Sequence, residues 1–172
     1  HDIAPWINFF QNVDAIIGPD DPVIYPEHLT EELDYELELA VVLRKPGKWF
    51  TPEEAEDYIG GYLIFNDLTA RDIQRGEMRS GVFSFCKAID TFCPMGPWIV
   101  PKEFYGDPMK RLRHTLTVDG KVMQEAGASD MIHSIYELIE YGSSIITLYP
   151  GDVVNNGTSG GTGMGQAYRG QE

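Results

Sequence analysis

The chain has 172 residues, enough for one domain with a real core on a prior of about 150 residues per domain. Its 13 basic and 27 acidic residues give a net charge of −14, which argues against nucleic acid or an anionic membrane as a partner. A hydrophobic content of 42% and many aromatics exclude a disordered acidic chain, and no apolar run approaches the roughly 20 residues of a membrane span.

Taken in chain order, GPDDPVIYP reads as a turn followed by a short edge segment around Ile24, since proline interrupts ladder pairing. DYELELAVVL predicts a strand over Glu36–Leu43, closed by the turn KPGK. Thr51-Pro52-Glu53-Glu54 is a helix start, with Thr51 as N-cap, Pro52 at the first helical position and Glu54 completing a capping box. That helix is expected to end near Gly60-Gly61, with Tyr62–Phe65 as the next strand. Asp119-Gly120, between HTLTV and KVMQ, signals a type I′ hairpin. Ser134 and Glu137 make a second capping box, opening a helix with Ile135, Leu138 and Ile139 on its apolar stripe and Gly142 at its end. Ile145–Leu148 and Asp152–Val154 read as strands around a Tyr-Pro-Gly-Asp turn. Many short strands with two modest helices imply an α+β, β-rich domain spanning residues 1–172.

Two cysteines, Cys86 and Cys93, make neither a disulfide framework nor zinc knuckles, and read as reduced, buried thiols of a cytoplasmic protein. No secretory leader pattern stands at the start. The sequon Asn156-Gly157-Thr158 is without consequence in that setting. His114 and His133 share no metal-ligand spacing and read as structural or exposed.

The acidic residues carry the chemistry. Period two places Glu36, Glu38, Ala40 and Val42 on one face of a strand and Leu37, Leu39, Val41 and Leu43 on the other. Two carboxylates aimed together cost free energy unless neutralised, and a hard divalent cation does so through oxygen ligands. Asp67, after the apolar stretch GYLIF, would complete a three-carboxylate half-shell. For a lone E-x-E the wet face of an edge strand is the default reading, and only the blocks downstream move it.

Six blocks in fixed order, DYELELAVVL, GYLIFNDLTARDIQ, KAIDTFCPMGPWIV, VDGKVMQ, MIHSIYELIEYGS and LYPGDVVNNGTSGGTG, resemble the fumarylacetoacetate hydrolase superfamily from about Phe9 to Gly165. The resemblance implies a mixed β-sandwich roll, with Glu36, Glu38 and Asp67 holding Mg²⁺ or Mn²⁺, or Ca²⁺ by the same oxygen chemistry. It places Lys87 beside the metal, Arg71, Gln74 and Thr158 toward the substrate, and Thr91 near Lys87 or a second ion. It also implies a homodimer. The expected substrate is a small 2-oxo or 1,3-dicarbonyl acid, and the expected reaction is C–C hydrolysis or decarboxylation. Isomerase or hydratase work on 2-hydroxy-dienoic acids, and binding without turnover, are the alternatives.

On residue type alone, Arg71 could instead pair with Asp72 or another acid, Gln74 could cap a turn, Lys87 could be a surface lysine, and NGTSGGTG could be a run of tight turns. Relatives that cleave C–C bonds draw a general base, His assisted by Glu, from a lid preceding the Phe9 block. His1 has no such Glu after it. The chain therefore reads as lacking that lid and the strands beyond the glycine loop, either by trimming or by lineage. Ser159 also stands where the family usually has proline.

Overall fold

A computed structural model describes residues 7–82 and 84–165, so the reading at His1 lies outside the described residues. In chain order the elements are β1 (Ile16–Ile17), β2 (Leu33–Asp34), β3 (Leu37–Leu43), α1 (Pro52–Ala55), β4 (Ile59–Asn66), β5 (Thr69–Ala70) and α2 (Arg71–Met78). They continue with β6 (Cys93–Pro101), α3 (Lys102–Tyr105), α4 (Pro108–Arg111), β7 (Arg113–Val118), β8 (Lys121–Gly127), α5 (Ile135–Ile145) and β9 (Val153–Thr158). Five strands form an open mixed sheet in the order β1-β6-β4-β3-β9, while β2 with β5 and β7 with β8 make two-stranded ribbons.

The alternation expected of DYELELAVVL sets the layers. Leu39, Val41 and Leu43 of β3 enter a core with Phe50, Ala55, Ile59, Tyr62, Ile135, Ile139 and Leu148. The opposite face is also buried: Ala40 packs with Ala15, Leu63, Phe65 and Cys93. Glu38 belongs to that second face and is therefore interior, with only 4% of its surface exposed, so the wet-edge alternative fails.

Both capping boxes form as their residues dictate. Thr51 accepts from the Glu54 N–H while Glu54 accepts from the Thr51 N–H, and Ser134 and Glu137 do the same at the start of α5. Asp119 and Gly120 both take positive φ (50° and 76°), as a type I′ hairpin requires.

Four expectations need correction. The helix from Pro52 gives way at Glu56–Tyr58 to a 3₁₀ turn, and Gly60-Gly61 lie inside β4, where Gly61 admits the close approach of β6: a Cβ there would strike Ile99 and Val100. The last helix runs past Gly142 to Ile145, so Ile145–Leu148 is no strand, and Leu148 makes only an isolated bridge with Gly47. The second of those strands begins at Val153 and extends to Thr158. Around Ile24 no strand forms, and its N–H is satisfied by Thr91 Oγ1 at 2.9 Å.

Candidate metal and substrate site

Sheet register builds the site. Leu37 pairs with Asn66 and Glu38 with Phe65 across β3 and β4, and the Asp67 N–H donates to the Glu36 carbonyl at 2.8 Å. Glu36 and Asp67, each just beyond the paired strands, are thereby cross-strand neighbours, and Glu38 is aimed to the same side. One carboxylate oxygen from each of the three lies within 4.8 Å of the other two.

Lys87 is the fourth member. Its Nζ, in a side chain only 3% exposed, donates to Glu36 Oε2 at 2.8 Å, Asp67 Oδ2 at 2.5 Å and Thr69 Oγ1 at 2.9 Å. All three ammonium hydrogens are engaged. The Phe9 ring lies 5.5 Å away, and Gln11 donates to the other Asp67 oxygen, so the segment before β1 covers this edge of the cluster. Arg71, at the start of α2, reaches Glu36 Oε1 at 2.7 Å, Asp34 Oδ2 at 2.8 Å and Gln74 Oε1 at 3.0 Å. Its partners are thus Asp34 and Glu36, not Asp72, whose carboxylate accepts from Thr30.

The electrostatics follow from burial. Glu38 is pushed up to about 8 by desolvation first and then by the Asp67 and Glu36 charges, with Lys87 and the Gly157 N–H opposing. Asp67 is also raised by burial, although Lys87 pulls it back. Burial works against the charge on Lys87, but Asp67 and Glu36 outweigh it and hold the ammonium above its ordinary range. Four carboxylates (Asp34, Glu36, Glu38, Asp67) face two cations (Arg71, Lys87), leaving two formal negative charges in excess. A proton on Glu38 relieves part of that excess, and a divalent cation would relieve all of it.

The donor set fits such an ion. It is all oxygen, as Mg²⁺, Mn²⁺ and Ca²⁺ prefer, and each carboxylate oxygen that accepts a hydrogen bond keeps a second lone pair. The three oxygens lie within 4.8 Å of one another, close enough for one oxygen-seeking divalent ion to draw them together by small side-chain movements.

The family model described as fumarylacetoacetate (FAA) hydrolase C-terminal matches residues 1–171. The chain belongs to the fumarylacetoacetate hydrolase family. An oxaloacetate tautomerase of Bacillus subtilis is 45% identical over 151 residues, covering 88% of this chain and 49% of that protein. A 2,4-didehydro-3-deoxy-L-rhamnonate hydrolase of a Sphingomonas species is 38% identical over 158 residues, covering 92% and 54%. Among solved structures, the 5-carboxymethyl-2-hydroxymuconate delta-isomerase of Mycobacterium smegmatis superposes with a TM-score of 0.80 at 40% identity, covering 87% of this chain and 57% of the other. The chain spans about half the length of these relatives.

Within this fumarylacetoacetate hydrolase domain the structure brings together Glu36, Glu38, Asp67, Lys87, Arg71 and Gln74. It does not bring in Thr91, whose hydroxyl serves Ile24. Thr158 sits opposite Glu38 in the β3–β9 register, but its hydroxyl donates to the Leu37 carbonyl at 3.0 Å and accepts from Gln124 at 2.8 Å. That oxygen keeps one lone pair and no free hydrogen for a substrate carboxylate.

Four polar residues escaped the sequence reading, Gln11, Asp34, Thr69 and Gln124, as did the specific role of the Gly157 N–H, which donates to Glu38 Oε2 at 2.9 Å. Asp34 takes up Arg71 and also the N–H groups of Gly163 and Met164, tying the arginine to the far end of the glycine loop. A cavity of about 710 Å³ opens on the other side of that loop, lined by His114, Glu125, Asp130 and His133 among others. Its lining includes Leu39, on the face of β3 away from Glu38, and none of the three clustered carboxylates. The chemistry argues for the carboxylate cluster rather than this cavity.

Proposed function

We propose that this chain carries the metal and substrate site of an enzyme that stabilises the enolate of a small 2-oxo or 1,3-dicarbonyl acid. The observation that supports this reading is Lys87 Nζ bonded to both Glu36 and Asp67 inside a buried three-carboxylate cluster. Glu36, Glu38 and Asp67 would hold Mg²⁺ or Mn²⁺, with Ca²⁺ as the third oxygen-seeking option, and the ion would supply Lewis-acid polarisation of the substrate's oxo group. Lys87 then contributes a fixed positive charge where negative charge develops on the oxygen. In a water-poor site that charge is felt more strongly than it would be in bulk solvent. Because its three hydrogens are taken, Lys87 acts through charge at rest and donates to the substrate only by exchanging one of these bonds.

Arg71 spends one N–H on Asp34 and one on Gln74, and its buried Nη2 stands in an ion pair with Glu36 but makes no hydrogen bond, which leaves N–H groups for a substrate carboxylate. Gln74 shares the buried face of α2 and would orient the same ligand. The tautomerase, hydrolase and isomerase relatives are named for reactions that share enol or enolate chemistry beside a carbonyl. Keto–enol interconversion of an oxaloacetate-like acid needs only enolate stabilisation and a proton shuttle, and is our first reading. Hydrolysis or decarboxylation at a C–C bond extends the same chemistry and is the second, favoured by the hydrolase relative at 38% identity. We place the active form as a homodimer.

The test is an ultraviolet assay of the enol-to-keto conversion of oxaloacetate by the intact protein, alongside acylpyruvates, with Mg²⁺, Mn²⁺ or EDTA. Activity should require the ion and be lost in a folded Glu38→Ala variant. A fully active Glu38→Ala protein, or an ion bound by His114 or His133, would end this reading.

A further inference from the structure

We infer that Gln124, on β8, is the positioning residue that fixes the glycine loop against the carboxylate-bearing strand. This rests on the proposed metal reading of Glu36, Glu38 and Asp67. The need for such a brace arises from the register. Glu38 pairs with Thr158 but Ala40 pairs with Asn155, so β9 carries one extra residue in this stretch. The bulge is made at Gly157, whose φ of 79° suits glycine, and it turns the Gly157 N–H onto Glu38 Oε2.

The pairing stops at Glu38–Thr158, and the end of the ladder leaves backbone groups to satisfy. Leu37, between two proposed ligands and one residue past that last pair, turns its N–H to β8 and its carbonyl to β9, and each is satisfied by a side chain. Gln124 Oε1 accepts from the Leu37 N–H at 3.0 Å, and Thr158 Oγ1 donates to the Leu37 carbonyl at 3.0 Å. The Gln124 amide also donates to Thr158 Oγ1 and to the Ser159 carbonyl, both at 2.8 Å. Gln124 is 1% exposed and uses both of its polar atoms in this way. One amide thus holds the backbone between Glu36 and Glu38 and the first two residues beyond the bulge. No other residue type supplies an acceptor and a double donor at that reach in neutral form.

Groups that orient metal ligands from behind typically control affinity by 10–100-fold. The probe is Mn²⁺, titrated into the intact protein by calorimetry and by electron paramagnetic resonance, with wild type, Gln124→Met and Thr158→Val compared. Gln124→Met keeps the volume and removes every hydrogen bond. It should bind Mn²⁺ about 10-fold more weakly while its circular dichroism matches wild type, and amide exchange at Leu37 and Gly157 should speed up. A role confined to stability would lower the melting temperature and leave the Mn²⁺ affinity of the folded protein unchanged, and that result overturns the inference. If Gln124→Met does not fold, Thr158→Val cuts the same network from the loop side and must weaken Mn²⁺ binding for the inference to stand. Absence of Mn²⁺ binding in wild type would defeat the metal reading itself, and the brace with it, whereas equal binding by wild type and variant defeats only the brace.

Discussion

Replacing Glu38 by Gln separates the cost of the buried charge from the benefit of the ion. Glu38 rises from an ordinary 4.5 to about 8 in the folded protein, chiefly through burial. At about 1.36 kcal/mol per pKa unit, holding it ionised without an ion costs on the order of 5 kcal/mol. The sign is fixed by linkage. A raised folded pKa means that the folded state binds the proton more tightly, so stability is highest below pH 4.5. It falls as pH rises through 8 and levels off above. Between pH 6 and 8.5 the metal-free protein should lose roughly 2–3 kcal/mol from this group, which for a chain of this size is about 5–10 °C in Tm. Asp67, raised in the same direction, adds a loss of the same sign, while raised Lys87 acts only at higher pH, as its own charge is lost. Thermal unfolding in EDTA at the two pH values measures the loss. Saturating Mg²⁺ should cancel it, because the ion takes the proton's place. At pH 7 the ion should expel about 0.9 proton from Glu38, readable by calorimetry in buffers of different ionisation enthalpy. Glu38→Gln should flatten the pH dependence, raise metal-free stability at pH 8.5 and abolish the response to Mg²⁺. Equal Tm values for metal-free wild type at pH 6 and 8.5, or ion binding without proton release, would refute the reasoning.

Lys87→Met should lower kcat on the order of 10²–10³ with little change in KM, and should leave metal affinity unchanged or raised, since a competing cation beside the ligands is removed; steady-state kinetics and Mn²⁺ titration decide. Gly161→Ala should disorder the glycine loop and weaken substrate binding, because its φ of 108° disfavours a side chain and a Cβ would collide with the Met123 carbonyl; loop resonances and KM are the measurements. Neither Cys86 nor Cys93 should react with a thiol reagent at pH 8 in the folded protein, since burial pushes both thiols up to about 12; rapid modification would contradict their placement in the interior.

What could be read from the sequence was local. Capping boxes, the Asp119-Gly120 turn and the alternation of DYELELAVVL are each set within a few residues, and each appears in the structure. Helix α2 was unreadable for a physical reason: its buried residues are Arg71 and Gln74, so no apolar stripe marks it, and Ala70 gives no side-chain cap. Strand β6, CPMGPWIVP, contains three prolines and reads as loop. Gln124 and Asp34 stayed hidden because a lone Gln or Asp gains meaning only from partners 34 to 130 positions away. A side chain's residue type says what bonds it can make, and only the fold says with whom.

The same distinction explains why the carboxylates could be picked out while their surroundings could not. Glu36 and Glu38 share a face through strand period alone, but Asp67 joins them only because β4 pairs with β3 in one register. That register is pinned by the apolar residues of the opposite face, Leu39, Val41 and Leu43, whose burial with Ile59 and Tyr62 a one-residue slip would reverse. The large core therefore does more than stabilise the domain. It holds Asp67 against Glu36, and it commits like charges to a spacing that Lys87 and a proton on Glu38 make tolerable and that a divalent ion would relieve further. The free energy that keeps the cluster together comes from the hydrophobic face of the strand that carries it, and for that reason the site persists without being individually stable.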